Sequence, residues 1–253
     1  MPRVKRITVG GWVYHVLNRA NGRMTLFHSP ADYAAFERVL AEAVERFETR
    51  LLAYCLMPNH WHLLLWPCKD GQLSGFMRWL TLTHTQRRHT HRHRVGEGHL
   101  YQGRFKSFPV QEDRHFLIAA RYVERNAQRA GLVGRAEDWR WCSLRRRLDA
   151  ARYTMSAESE TPPDSTAGDD AKEYPALSAW PVPRPSDWLE RVNLPLSEAE
   201  ERAMKNSLRR NCPLGDAPWQ LTAAQRMGLL ATLRPRGRPA KERGTTVEVP
   251  DPF

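Results

Sequence analysis

Cysteine is scarce in this 253-residue chain: Cys55, Cys68, Cys142 and Cys212 stand far apart, and no two form a CxxC pair. That argues against a zinc cluster or a disulfide framework and leads us to expect a reducing, intracellular compartment. Long apolar runs are missing too. None reaches the roughly 18 residues a membrane-spanning helix needs, and the longest is interrupted by Pro58, Asn59 and two histidines. The opening MPRVKRITVGG has basic residues but no apolar stretch or cleavage site, so no signal peptide is expected. No internal repeat is found. Acidic residues are outnumbered, 28 against 39 Lys and Arg, for a formal net charge of +11. That excess points to a polyanionic partner, with nucleic acid ahead of an acidic membrane surface. A mean hydropathy of −0.63 with 41% hydrophobic residues describes a real core accompanied by polar segments.

What is present is organised around residues 51–67, LLAYCLMPNHWHLLLWP. Its only side chains outside the apolar set are Asn59, His60 and His62, apart from the Pro58 and Pro67 rings. Such a run reads as a buried strand pair broken near Pro58. Side chains alternate along a strand, so His60 and His62 share a face while Trp61 takes the other. Two imidazoles about 7 Å apart at two strand steps can hold one metal ion. As idle core residues they would be costly, because each ring carries polar nitrogens that need partners.

The flanking pattern is α and β mixed. Residues 12–19 read as a strand in which Val13, His15 and Leu17 alternate with Tyr14 and Val16. Ser29, Pro30 and Asp32 mark a helix start, and Tyr33, Phe36, Leu40, Ala43, Val44 and Phe47 give it one packed face. Ser74 is expected to cap a second helix with Phe76, Met77 and Leu80 inside. Residues 84–99, rich in His and Arg, read as a solvated basic loop rather than a metal tract. Residues 100–110 read as a strand with Arg104 and Lys106 on one face and Phe105 between them, a pattern that suits phosphates and stacked bases. Asp113 can cap a helix running to about Ala130, stopped by Gly131, with Phe116, Ala119, Ala120, Val123 and Ala127 inside. On its flank Tyr122 and Asn126 lie one turn apart, beside Arg121, Arg125 and Arg129. From about residue 154 to 185 the composition becomes that of a Ser-, Pro- and acid-rich linker. A capping box at Ser197 and Glu200 and a further helix over 217–230 follow, and then a basic tail. In that tail Arg236-Gly237-Arg238-Pro239 looks like an AT-hook, an extended element for a narrow minor groove.

Two imidazoles and one amide oxygen leave open positions on a divalent ion such as Mg²⁺ or Mn²⁺ for phosphate oxygens. A phosphodiester polarised there is open to in-line attack by a tyrosine hydroxyl. His60-Trp61-His62 fits the His-hydrophobe-His motif of HUH endonucleases. GGWVYHVLNRANGR, YCLMPNHWHLLLWP, GHLYQGRFKSFPV and RYVERNAQRAGLV, in this order, resemble the insertion-sequence 200-like single-tyrosine transposases. DWLERVNLPLSEAE, PLGD and LRPRGRP resemble their REP-associated tyrosine transposase branch.

The resemblance implies an α+β fold: a ferredoxin-like (RRM-like) antiparallel sheet with helices on one face, here with a small helical C-terminal appendage. It implies His60, His62 and Asn126 as metal ligands, Tyr122 as nucleophile, and cleavage of single-stranded DNA beside REP-type palindromic hairpins through a 5′-phosphotyrosine. Two departures stand out. Asn126-Ala127 replaces a common Asn-Pro, and Asn211-Cys212 precedes PLGD where relatives commonly carry Arg-Gly. The expected layout is a nuclease domain over 1–153, a linker over 154–185, a helical region over 186–233 and a DNA-binding tail over 234–253. Arg19, Arg104, Lys106, Arg121, Arg125, Arg129, Arg234, Arg236 and Arg238 are the expected DNA contacts. The enzyme is expected in the cytoplasm with the nucleoid, free of membranes, as a monomer or homodimer. Its rivals are a non-catalytic hairpin-binding protein on the same fold and a metal-free tyrosine recombinase built on an Arg-His-Arg set.

Overall fold

The computed structural model describes residues 7–92, 98–157 and 174–234. The expected linker falls largely outside these residues, as do Arg236 and Arg238. The first half of the chain runs β1 (Val13–Arg19), α1 (Pro30–Phe47), β2 (Arg50–Met57), β3 (His60–Trp66), α2 (Gln72–His91) and β4 (Lys106–Val110). The strands form one antiparallel sheet in the order β2-β3-β1-β4. This βαββαβ arrangement is the expected ferredoxin-like one, and both of its helices lie on one face. Tyr14, Val16, Trp61, Leu63 and Leu65 of the sheet meet Phe36 and Leu40 of α1 and Phe76, Met77 and Leu80 of α2 there.

Most of the rest of the chain covers the opposite face, while Met227 joins Tyr14 in the first cluster and Leu229 packs against it. The rest of the chain comprises α3 (Arg114–Glu124), α4 (Asn126–Arg129), α5 (Ser143–Ala157), α6 (Trp188–Asn193), α7 (Glu198–Arg210), α8 (Ala217–Met227) and α9 (Leu230–Leu233). Phe116, Ala119, Ala120 and Val123 of α3 pack on Val13, Cys55, Leu64, Phe108 and Val110, and Trp188, Val192, Met204 and Leu214 join the same cluster. The appendage is therefore part of the core, not a satellite. With both faces covered, β3 has to be apolar almost throughout, which is why its text reads as a continuous run.

Both sheet edges are also closed, which removes a template for unwanted strand pairing. Along β4, Gln111 N donates to Leu214 O and Leu214 N to Pro109 O, each at 2.9 Å. PLGD thus serves as an edge cover, and Asp216 caps α8 by accepting from Trp219 N. Along β2, Leu56 N donates to Trp141 O at 2.9 Å, and the Trp180 indole donates to Leu52 O at 2.8 Å.

The start of α1 has the full capping box between Ser29 and Asp32. Three local expectations change. The N-cap of α2 is Gly71, whose φ of 77° suits a residue without a Cβ, while Ser74 lies inside the helix. The expected basic loop is helical through His91, because the apolar spacing Leu73, Phe76, Met77, Leu80 runs on to His84, which is buried. Its Nδ1 lies 2.7 Å from the Tyr101 hydroxyl, which also accepts from Trp61 Nε1 at 3.2 Å. Finally, only Lys106–Val110 of the expected strand over 100–110 is strand, so Arg104 stands on a loop.

Candidate active site

Alternation in β3 turns His60 and His62 toward α3 and Trp61 toward the other core. Tyr122 occupies the last turn of α3. The expected single helix is interrupted at Arg125 (φ −85°, ψ −1°), and Asn126 opens α4. This places the tyrosine beside the histidine strand, with the asparagine one turn further on. The Tyr122 ring stands edge-on to His62 with centroids 5.8 Å apart, and the His60 and His62 rings are 5.1 Å apart. Arg129 joins the helix pair. Its Nη2 donates to the Tyr122 hydroxyl at 3.1 Å and approaches Asn126 Oδ1 at 3.4 Å. His62, Asn126 and Tyr122 are all buried, and His60 is partly exposed.

Both histidines are held in the neutral form. His60 is pushed down to about 4, by burial first and then by Arg19 and Arg129. His62 is driven well below the usual imidazole range, again by burial first and then by its neighbours His15 and His60. Both rings are therefore neutral near pH 7, the form that donates a lone pair to a metal. His60 Nδ1 donates to Asn59 Oδ1 at 2.6 Å, which leaves its Nε2 lone pair free. Asn126 is loosely held, since its buried Nδ2 has no hydrogen-bond partner and its Oδ1 has only the 3.4 Å contact from Arg129. Among the described residues no three His, Cys, Asp or Glu side chains are grouped as metal ligands. The donor set is two imidazoles and an amide oxygen, and it fits a divalent ion that keeps open positions. Tyr122 is raised above the ordinary phenol value by burial, against which Arg129 acts.

The expected basic contacts divide. Arg19 pairs in register with His60, and Arg129 touches the tyrosine itself. Arg125 lines a cleft of about 90 Å³ beside Tyr122 that is walled by Pro195, Leu196 and Glu201. Arg121 is taken up by the appendage. Its Nη2 donates to Pro195 O at 2.9 Å and to Leu194 O at 3.3 Å, and Glu200 lies 3.7 Å from it. Arg104 lines a separate wide cleft with Asn18, Tyr101 and Phe105. Lys106 is exposed at the start of β4, and Arg234 is exposed at the end of the described chain.

One neighbour is absent from the sequence-based set. His15 of β1 is buried on the same face, stacked on Phe108 with centroids 4.8 Å apart, and its Nε2 is 3.0 Å from His62 Nδ1. Its period-two position in β1 was a signal, but its contact with His62 depends on strand register, in which Leu17 sits opposite His62.

Fold and side chains together define a class: a ferredoxin-like domain whose His-hydrophobe-His strand faces a tyrosine-bearing helix. Residues 8–126 match the family model described as Transposase IS200 like. The match spans the βαββαβ unit and α3 and ends on Asn126; over those residues the chain is similar to the IS200-like transposases. Among solved structures, one described as a REP-associated tyrosine transposase bound to a REP hairpin aligns at 20% identity and a TM-score of 0.49. The alignment covers 67% of this chain and 98% of that one. No curated protein matches. Among the described residues no helix is long and apolar enough to cross a membrane.

Proposed function

We propose that the protein is a metal-dependent single-strand DNA endonuclease and transposase that nicks and rejoins DNA beside palindromic, REP-type hairpins. The observation that carries this reading is that Tyr122 stands beside the His60–His62 pair on one face of the sheet, with Arg129 linking the Tyr122 hydroxyl to Asn126. His60, His62 and Asn126 would hold the ion. Bound there, Mg²⁺ or Mn²⁺ supplies Lewis-acid polarisation of the scissile phosphate.

The residues of the chain do the rest. The Tyr122 hydroxyl oxygen attacks phosphorus in line, the Tyr122 O–P bond forms, and the bond from phosphorus to the 3′ oxygen breaks. The phenolic proton is lost, the leaving oxygen takes one up as a 3′ hydroxyl, and the 5′ phosphate stays on Tyr122. Arg129, already donating to that hydroxyl, favours the phenolate over the phenol. Attack by a 3′ hydroxyl on the phosphotyrosine reverses the step and needs no other energy source. Arg19 and Arg125 line the approach for the DNA backbone.

The test is to incubate the protein with labelled hairpin DNA in Mg²⁺ or Mn²⁺ and look for a denaturation-resistant adduct. We expect an adduct that disappears with chelator and with His60→Ala or His62→Ala. Tight hairpin binding without any adduct would overturn the reading in favour of a non-catalytic hairpin-binding protein.

A further inference from the structure

His15 has no part in the mechanism above, yet it is among the most thoroughly buried polar residues of the chain, 1% exposed. It stands on the apolar face shared by Val13, Phe108 and Tyr122. A buried imidazole there costs free energy that a leucine would not, unless its nitrogens are used. One of them is used: His15 Nε2 and His62 Nδ1 are 3.0 Å apart, so one proton lies between them. Stacking on Phe108 fixes the plane of the His15 ring, and the Tyr122 ring stands edge-on to it with centroids 6.3 Å apart.

Which ring carries that proton decides what His62 can do. If His15 donates, neutral His62 must carry its own proton on Nε2, and it has no lone pair left for a metal. If His62 donates from Nδ1, its Nε2 lone pair is free, the state that His60 reaches through Asn59. We propose that His15 is a positioning residue that accepts from His62 Nδ1, locking His62 in the tautomer whose Nε2 faces a metal. His15 and Asn59 are then equivalent devices acting on the two metal histidines from two sides: one from the neighbouring strand, one from the turn before β3. Carbonyl or carboxylate groups are the usual acceptors in this place. A second imidazole does the same without bringing a negative charge near the phosphate.

This inference rests on the reading of His60 and His62 as metal ligands, and the experiment separates the two. Long-range ¹H–¹⁵N spectra of the full chain, free of metal and DNA at pH 7, report which nitrogen of His62 carries the proton. Mn²⁺ affinity, measured on the same protein by electron paramagnetic resonance, reports the consequence. We expect His62 protonated at Nδ1. We expect His15→Phe to bind Mn²⁺ roughly 10- to 100-fold more weakly, the usual penalty for losing such a partner. His15→Gln, which restores an acceptor, should recover most of the loss. A thermal melt identifies a variant that fails to fold, in which case the His62 spectrum of the wild type decides. His62 protonated at Nε2, or His15→Phe binding Mn²⁺ as tightly as wild type, overturns the inference and leaves the metal reading standing. No Mn²⁺ binding by wild type overturns both.

Discussion

The Tyr122 hydroxyl is under opposed influences: burial first, with Glu201, favours the phenol, while Arg129 first, with Arg19, favours the phenolate. Replacing Arg129 by glutamine removes the larger of the two cationic influences that oppose burial, so the phenol holds its proton to higher pH. DNA cleavage by Arg129→Gln should therefore be slower at neutral pH, and the rising limb of its pH–rate profile should lie at higher pH than in wild type. A profile that keeps its position while the rate falls would assign Arg129 to DNA binding alone. At this scale much was legible. The two-residue spacing of His60 and His62 gives a shared face on any strand, and the four-residue spacing of Tyr122 and Asn126 gives a shared flank on any helix. His15 was hidden because its partner lies 47 residues away. The partners of Arg121 were hidden for a similar reason: from its own helix it looks free for phosphate, and only the fold brings the 194–195 carbonyls onto it.

At the scale of elements, α3, the helix that carries Tyr122, is fastened by a buried carboxylate. Glu124 accepts from Ser143 Oγ through Oε1 and from the Trp188 indole through Oε2, both at 2.7 Å, and Ser143 Oγ accepts from Tyr54 N. One side chain thus ties α3 to α5, α6 and β2, two residues beyond Tyr122. Trp188→Phe keeps the bulk but leaves a buried carboxylate oxygen without a donor, which costs about 1–3 kcal/mol. Chemical denaturation should show that loss, and an unchanged midpoint would mean that the clasp is not formed in solution.

A second element carries a pH dependence. Burial pushes His84 of α2 down to about 3. The unfolded chain, with an ordinary histidine near 6.5, then binds a proton between pH 6.5 and 3 that the folded chain does not. Stability from this group is complete above pH 6.5 and is lost as pH falls, by about 1.4 kcal/mol per pH unit. His84→Gln should flatten the acid side of the stability curve by that slope, and an unchanged slope would show His84 to be open to protonation in the fold. The text of α2 misled because Arg and His crowd its second half; the three- and four-residue spacing was the better guide. PLGD was opaque for a different reason, since its strand-like pairing with Pro109 and Gln111 crosses about a hundred residues.

For the molecule as a whole, the appendage completes the site face of the sheet. Trp188, Val192, Met204 and Leu214 fill its core, residues 213–214 close the β4 edge, and residues 195–201 wall the cleft beside Tyr122. A chain ending at Ala157 would expose that apolar surface and an open strand edge. We expect it to aggregate or to melt far below the full chain, as light scattering and calorimetry would show. A monodisperse, stable fragment that still cleaves DNA would show the appendage to be dispensable. Motif order made the βαββαβ unit readable in advance. The closure of its second face was not, because an amphipathic helix does not state which surface its apolar side will cover.

The central claim is that Tyr122 is the group joined to DNA, and the most direct measurement is mass spectrometry of the protease-digested adduct formed on hairpin DNA in Mg²⁺. The account predicts a single modified peptide, carrying a 5′-phosphodeoxynucleotide on Tyr122, absent from the Tyr122→Phe protein. A nucleotide on any other residue, or an undiminished adduct with Tyr122→Phe, would contradict it.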